Sequence, residues 1–160
     1  MTVYNIGDSV AHPLHGAGVI DGIEERKIDG NIKRYYILKM PTGGMVVMIP
    51  MDNCDAIGVR PIVAADAAET LINAIPGLET DMTSNWNKRY RENMQKMKSG
   101  NLLEVARVVK GLTARDAEKG LSTGERKMLQ SAKQILVSEI ALSQKKTSAE
   151  VELRIDAAFA

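Results

Sequence analysis

Aromatic residues are scarce: one tryptophan, one phenylalanine and four tyrosines make up 4% of 160 positions. Cysteine is scarcer still, and lone Cys54 can close no internal disulfide, which fits a reducing compartment. No apolar run approaches the ~20 residues that a membrane-spanning helix needs. The opening MTVYNIGDSV shows no basic stretch followed by an apolar one, so a soluble cytoplasmic protein without membrane contact is expected. Charge of one sign is lacking too. A net charge of +1 excludes a generally basic coat for nucleic acid.

Catalytic signatures are also missing. GxxxxGK[ST] and GxGxxG do not occur, and Gly16-Ala17-Gly18 sits in a strand context where its glycines read as bends of the sheet. There is no GxSxG, and Cys54 has no evident histidine partner. His12 and His15 flank Pro13-Leu14 near a turn; two histidines and a distant cysteine fall short of a zinc site, so a loop-bracing role is expected. Asp and Glu are dispersed over helix faces, where solvated charge is the ordinary explanation. The expectation is a protein that is not an enzyme, with no cofactor, no metal and no catalytic residues.

What is present divides in two. Residues 1–60 read as a small domain of short strands: Ser9–His12, Gly18–Ile23, Arg34–Met40, Met45–Pro50 and Ala56–Val59, punctuated by Gly and Asp. Asp29-Gly30 is a hairpin signal, because tight turns demand positive φ, and Thr42-Gly43-Gly44 is another. Together these predict an α+β chain opening with a small SH3- or Tudor-like antiparallel β-barrel. Residues 61–160 read as a compact bundle of about five helices with short loops. Ala64–Ala74 stops at Pro76-Gly77. A second helix follows Thr83 or Ser84 as its cap and ends at Ser99-Gly100. Asn101 caps the next, with Leu102, Val105, Ala106, Val109 and Leu112 inward, and Lys119-Gly120 closes it. Ser122 and Glu125 form a capping box ahead of Met128, Leu129, Ala132, Ile135, Leu136 and Ile140. Thr147 with Glu150 caps the last helix, carrying Val151, Ile155 and Phe159.

Positive charge is concentrated. Residues 81–119 carry nine Lys/Arg against five Asp/Glu, and three of those cations, Lys88, Arg89 and Arg91, follow Trp86 closely. Placed in a first helical turn, Trp86 would stand near an exposed basic tip, where cations meet phosphates and a flat ring can enter a base step. The alternative is that Trp86, Tyr90, Met94 and Met97 form one buried stripe at helical spacing. Spacing alone favours the stripe.

The stretches GDSVAHPLHGAGVI, Lys33–Met40 and Met45–Pro50 resemble the RNA-polymerase-interacting domain shared by the CarD/CdnL family and the transcription-repair coupling factor. NWNKRYREN and GLSTGERKMLQSAKQILVSEIAL resemble the helical domain of CarD/CdnL proteins. The similarity runs from about Asn5 to Ser143 in one register. It implies a bacterial, nucleoid-associated regulator of transcription initiation whose Tudor-like domain docks on the polymerase β subunit. Its helical domain would meet promoter DNA, largely independently of sequence, at the upstream edge of the bubble. There a tryptophan wedges into the minor groove and helps to hold the open complex.

By position that tryptophan is Trp86, with Lys88, Arg89 and Arg91 on the DNA backbone. The resemblance thus reverses the preference that spacing gave. A polymerase-contacting arginine before the first hairpin turn falls on Arg26. A second one falls on Met48, a departure that removes one electrostatic contact while leaving a side chain able to pack. Met45 to Ile49 is apolar on both faces, which suits either barrel core or strand addition to a partner sheet through Val46, Val47 and Met48. A monomer is expected. A protein-interaction adaptor, with a peptide-binding barrel and a scaffold bundle, is the competing reading.

Overall fold

The computed structural model describes residues 2–41 and 44–160. Among these residues five strands form one antiparallel sheet in the order β4-β3-β2-β1-β5: β1 (Ser9–His12), β2 (Gly16–Ile28), β3 (Asn31–Lys39), β4 (Val46–Pro50) and β5 (Arg60–Pro61). β4 and β5 are its edges, and no pairing between them closes a barrel among the described residues. β2 and β3 meet at the expected tight turn. Ile28 faces Asn31, and Asp29 and Gly30 both take positive φ (52° and 81°), the geometry whose twist matches that of the flanking strands. The other expected turn, Thr42-Gly43-Gly44, falls largely outside the described residues.

Two expectations about this region are corrected. β2 is longer than expected: past β1 it pairs with β3 alone, and from Glu25 onward the two run beyond the end of β4 as a two-stranded ribbon. Ala56–Val59 is not a strand. Cys54–Ile57 forms a helical turn (α1) that ends on left-handed Gly58, φ 97°, and the fifth strand comes after it at Arg60. Ile57 and Val59 carry the β-propensity that suggested a strand, but both pack toward the sheet core from the turn instead. That core is built from Tyr4, Val10, Ile20, Tyr36, Leu38, Met40, Ile49 and Cys54.

Among the described residues five further α-helices follow: α2 (Ala65–Ala74), α3 (Trp86–Lys98), α4 (Leu102–Lys119), α5 (Thr123–Gln144) and α6 (Ser148–Phe159). Apart from Trp86, the apolar stripes expected from the 3.6-residue period are buried or half-buried against a shared core. The caps follow chemistry. Asn101 accepts from the amides of Leu103 and Glu104, and Thr147 with Glu150 forms a reciprocal capping box. Arg154 on α6 pairs with Glu69 on α2, which ties the last helix to the first of the bundle. No helix among the described residues is long and apolar enough to cross a membrane.

The sheet and the bundle touch through a polar clamp. Arg60 of β5 grips Glu139 of α5 with two nitrogens at 2.7 and 2.9 Å, and its Nε donates to the Gly100 carbonyl at 2.8 Å. The Val63 amide donates to the same carboxylate at 2.9 Å. The Ala17 amide at the start of β2 donates to Ser138 Oγ at 2.9 Å. Gly16 beside it is needed for approach, not for bending: a Cβ there would lie 2.4 Å from Ser138 Oγ and 3.3 Å from Ile135 Cα. Its φ of 91° favours glycine independently.

Candidate nucleic-acid interface and docking face

α3 begins at Trp86, one residue later than a Ser84 cap would give. Asn85 is the cap, its side chain accepting from the Lys88 amide at 3.0 Å. Thr83 braces the approach by accepting from the Asn85 amide at 3.4 Å. Thr83, Ser84 and Asn85 are all residue types that cap well, so local sequence alone does not choose among them.

Trp86 is 43% exposed. Its ring stacks on Tyr90, centroids 5.1 Å apart and planes 18° from parallel, and its Nε1–H donates to Ser122 Oγ at 3.0 Å. The indole is therefore neither a core residue nor a free flag. One face and edge rest on protein while the rest meets solvent. Tyr90 and Met94 are half-buried and Met97 is buried, so the apolar stripe exists and Trp86 stands at its end.

The four residues assigned to DNA separate. Lys88 and Arg91 are exposed on α3, and the Lys88 ammonium lies a long 3.9 Å from Glu92. Arg89 is not on that surface. Its side chain is 2% exposed, and it lies beneath the tip in a two-pronged pair with Glu125 (2.7 and 3.1 Å) while donating to the carbonyls of Thr83 and Ser84. A guanidinium enclosed in this way cannot reach a DNA phosphate, so Arg89 is structural. The cause is helical spacing: residue 89 lies three after Trp86 and four before Asn93, which is also buried, so it turns toward α5.

The expected capping box at α5 is likewise altered. Ser122 accepts from the Glu125 amide at 3.2 Å, but the Glu125 carboxylate turns to Arg89 and to the Ser122 hydroxyl (3.3 Å). Those bonds, the Arg89 hydrogen bonds foremost, hold the Glu125 carboxyl below the usual carboxylate range against the opposing effect of burial. Sequence reasoning missed this partner, and also Arg126 and Lys127, exposed cations in the first turn of α5 close to Ser122.

On the sheet, β3 decides which side chains face together. Tyr36 and Leu38 point to the core, so Lys33, Ile37 and Lys39 point outward. Arg26 opposes Lys33, Met48 opposes Ile37 and Val46 opposes Lys39, which puts all three on the outer face. Val47 opposes buried Leu38 and packs toward the core, so its side chain is no part of that surface. Arg26 sits in the ribbon, its side chain 55% exposed and 3.7 Å from Glu24. Val46 is half exposed, Met48 is half-buried, and β4 as an edge strand leaves one row of backbone groups unpaired.

His12 and His15 stand with ring centroids 4.5 Å apart, and His12 Nδ1 accepts from the Leu14 amide at 3.2 Å, a loop-bracing arrangement. Burial, and then His15, push His12 down to about 4. Among the described residues no group of three or more His, Cys, Asp and Glu could hold a metal ion.

A five-stranded antiparallel sheet is thus clamped to a helical bundle that carries a half-exposed indole close to exposed Lys88 and Arg91. Comparison with known proteins gives the class. Residues 4–63 match the CarD-like/TRCF RID domain and residues 70–156 match the CarD C-terminal domain. The chain is similar, at 33% identity over 150 residues, to a Bacillus subtilis (strain 168) protein whose name, transcription factor YdeB, is provisional. That alignment covers 94% of this chain and 98% of the relative. The chain belongs to the CarD family, and its membership supports a role in the regulation of transcription.

Proposed function

We propose that this protein regulates transcription initiation without enzymatic activity, by holding RNA polymerase through its sheet and promoter DNA through the tip of α3. The match of residues 4–63 to the CarD-like/TRCF RID domain supports a polymerase interaction. The outer face bearing Arg26, Val46 and Met48, beside the open edge of β4, is the surface that would dock on the β subunit by strand addition and apolar contact.

The observation that carries the DNA half is the half-exposed indole of Trp86 at the start of a helix flanked by exposed Lys88 and Arg91. An aromatic ring presented this way can enter a minor-groove step that is already unstacked. At the upstream edge of a bubble the step is partly open, so wedging costs less there than in intact duplex. A ligand that favours the open state shifts the population toward it. Two phosphate-facing lysine and arginine side chains give weak binding alone, and tethering by polymerase supplies local concentration.

The test uses the single tryptophan as its own reporter. Titration of Trp86 emission with forked and with fully paired DNA should show a change with the fork at lower DNA concentration than with duplex. Equal responses, or none, would contradict the wedge and favour a protein-only adaptor.

A further inference from the structure

We infer that Ser122 is a positioning residue for Trp86: its hydroxyl, with the Tyr90 ring, fixes the orientation in which the indole is presented. The inference rests on the DNA-wedge reading for its functional consequence, but not for its geometry.

A serine hydroxyl has one proton to donate and two lone pairs to accept. At Ser122 all three are used. Oγ accepts from Trp86 Nε1 at 3.0 Å and from the Glu125 amide at 3.2 Å, and lies 3.3 Å from Glu125 Oε1, to which it donates. The carboxylate that receives this proton is itself fixed by both prongs of buried Arg89. Arg89 in turn holds the carbonyls of Thr83 and Ser84, three and two positions before Trp86. The chain of contacts therefore runs from the indole back to the backbone that leads into α3. The hydroxyl cannot rotate without losing a bond, so it offers its lone pair to the indole in one direction only.

The second support is steric. Tyr90 lies under the ring, and Gly124 lies close by: a Cβ built there would stand 3.6 Å from Tyr90 Cε2 and 4.0 Å from Trp86 Cζ2. The stack thus rests against the first turn of α5, and the indole is pinned at its nitrogen and supported beneath. An exposed aromatic side chain otherwise samples several rotamers, and fixing one before binding removes that ordering cost from the encounter. The Nε1–H, the only donor of the indole, is also already used by the protein. The ring would then enter the groove as an apolar plate.

Ser122 also caps α5, so the experiment must separate positioning from capping. Ser122→Gly removes the hydroxyl while glycine is tolerated at an N-cap with little loss. Ser122→Thr keeps the hydroxyl. Trp86→Phe keeps an aromatic plate without the N–H. In the free protein, Ser122→Gly should lower the steady-state anisotropy of Trp86 and shift its emission to the red, with Ser122→Thr close to wild type. In polymerase–promoter complexes, Ser122→Gly should shorten the open-complex lifetime about fivefold, as the loss of one hydrogen bond of ordinary net strength implies. The same change made in the Trp86→Phe background should shorten it no further.

An equal shortening in both backgrounds would make Ser122 a cap and nothing more, and would overturn the inference. Unchanged anisotropy in Ser122→Gly, or a threonine variant no better than glycine, would overturn it too. If Trp86→Ala leaves the lifetime unchanged, the wedge reading fails, and the anisotropy of the free protein still decides the positioning.

Discussion

Arg89 and Glu125 face one another with side chains only 2% exposed, so each charge depends on the other for compensation. Removing one member of such a pair costs about 3–5 kcal/mol, because the survivor is a buried charge without its partner. Arg89→Met should therefore lower the melting temperature sharply, and Arg89→Met combined with Glu125→Met should recover much of the loss. An Arg89→Met protein as stable as wild type would return Arg89 to the surface and contradict the geometry. The pH dependence has a defined sign. The folded-state value of Glu125 lies below the ordinary unfolded value of about 4.3, so the pair stabilises the fold above that pH. The contribution is lost as pH falls through the lower folded value. Acid melting curves should show this component in wild type and lose it in Glu125→Gln. Nothing in the local sequence marks Arg89 as the buried member of the Lys88, Arg89, Arg91 cluster except its angular position on the helix, and that becomes decisive only once the neighbouring helix is known to bring an acid to meet it.

At the scale of elements, helices were the legible part of this chain. Amphipathic stripes and caps such as Asn101 and Thr147 act within a few residues, and the expected helices agree with the structure to within about two residues at their ends. Strands depend on partners far away in sequence, and the misreading at Ala56–Val59 has that origin: β-propensity there yields to a helical turn closed by Gly58. The ribbon formed by the end of β2 was also illegible, because its residues alternate no apolar face; Glu24 to Lys27 are all charged. Two element-level outcomes are expected. Replacing Lys88 and Arg91 by Gln should flatten the dependence of DNA affinity on salt, by roughly one unit of log–log slope for each phosphate no longer neutralised. An unchanged slope would take α3 off the DNA backbone. On the sheet, Val46→Lys should weaken binding to the isolated β-subunit lobe, whereas Val47→Ala should act mainly by loosening the sheet core. The reverse pattern would mean that the outer face of β4 is not the docking surface.

The whole molecule is held at one angle by contacts that no periodicity reveals. Arg60 and Glu139 are 79 positions apart, and Ala17 and Ser138 are 121 apart, yet they join the sheet to the C-terminal half of α5. Glycine at position 16 reads as a strand bend in sequence, and only the close approach of α5 shows why it stands there. Under the proposed function the clamp matters, because holding polymerase with one end and DNA with the other would transmit position through the middle. Glu139→Ala should split a single melting transition into two, since sheet and bundle lose their shared, half-buried ion pair. One unchanged transition would show that the clamp contributes little. On the proposed function, the indole at the tip of α3 holds a promoter open while the sheet is held by polymerase. The most direct measurement is the lifetime of open complexes formed with wild-type and Trp86→Ala protein on a promoter whose complexes decay quickly. The expected result is a shorter lifetime with Trp86→Ala, at equal melting temperature and equal affinity for polymerase. An unchanged lifetime, or a shortening explained by a large loss of thermal stability, would contradict it.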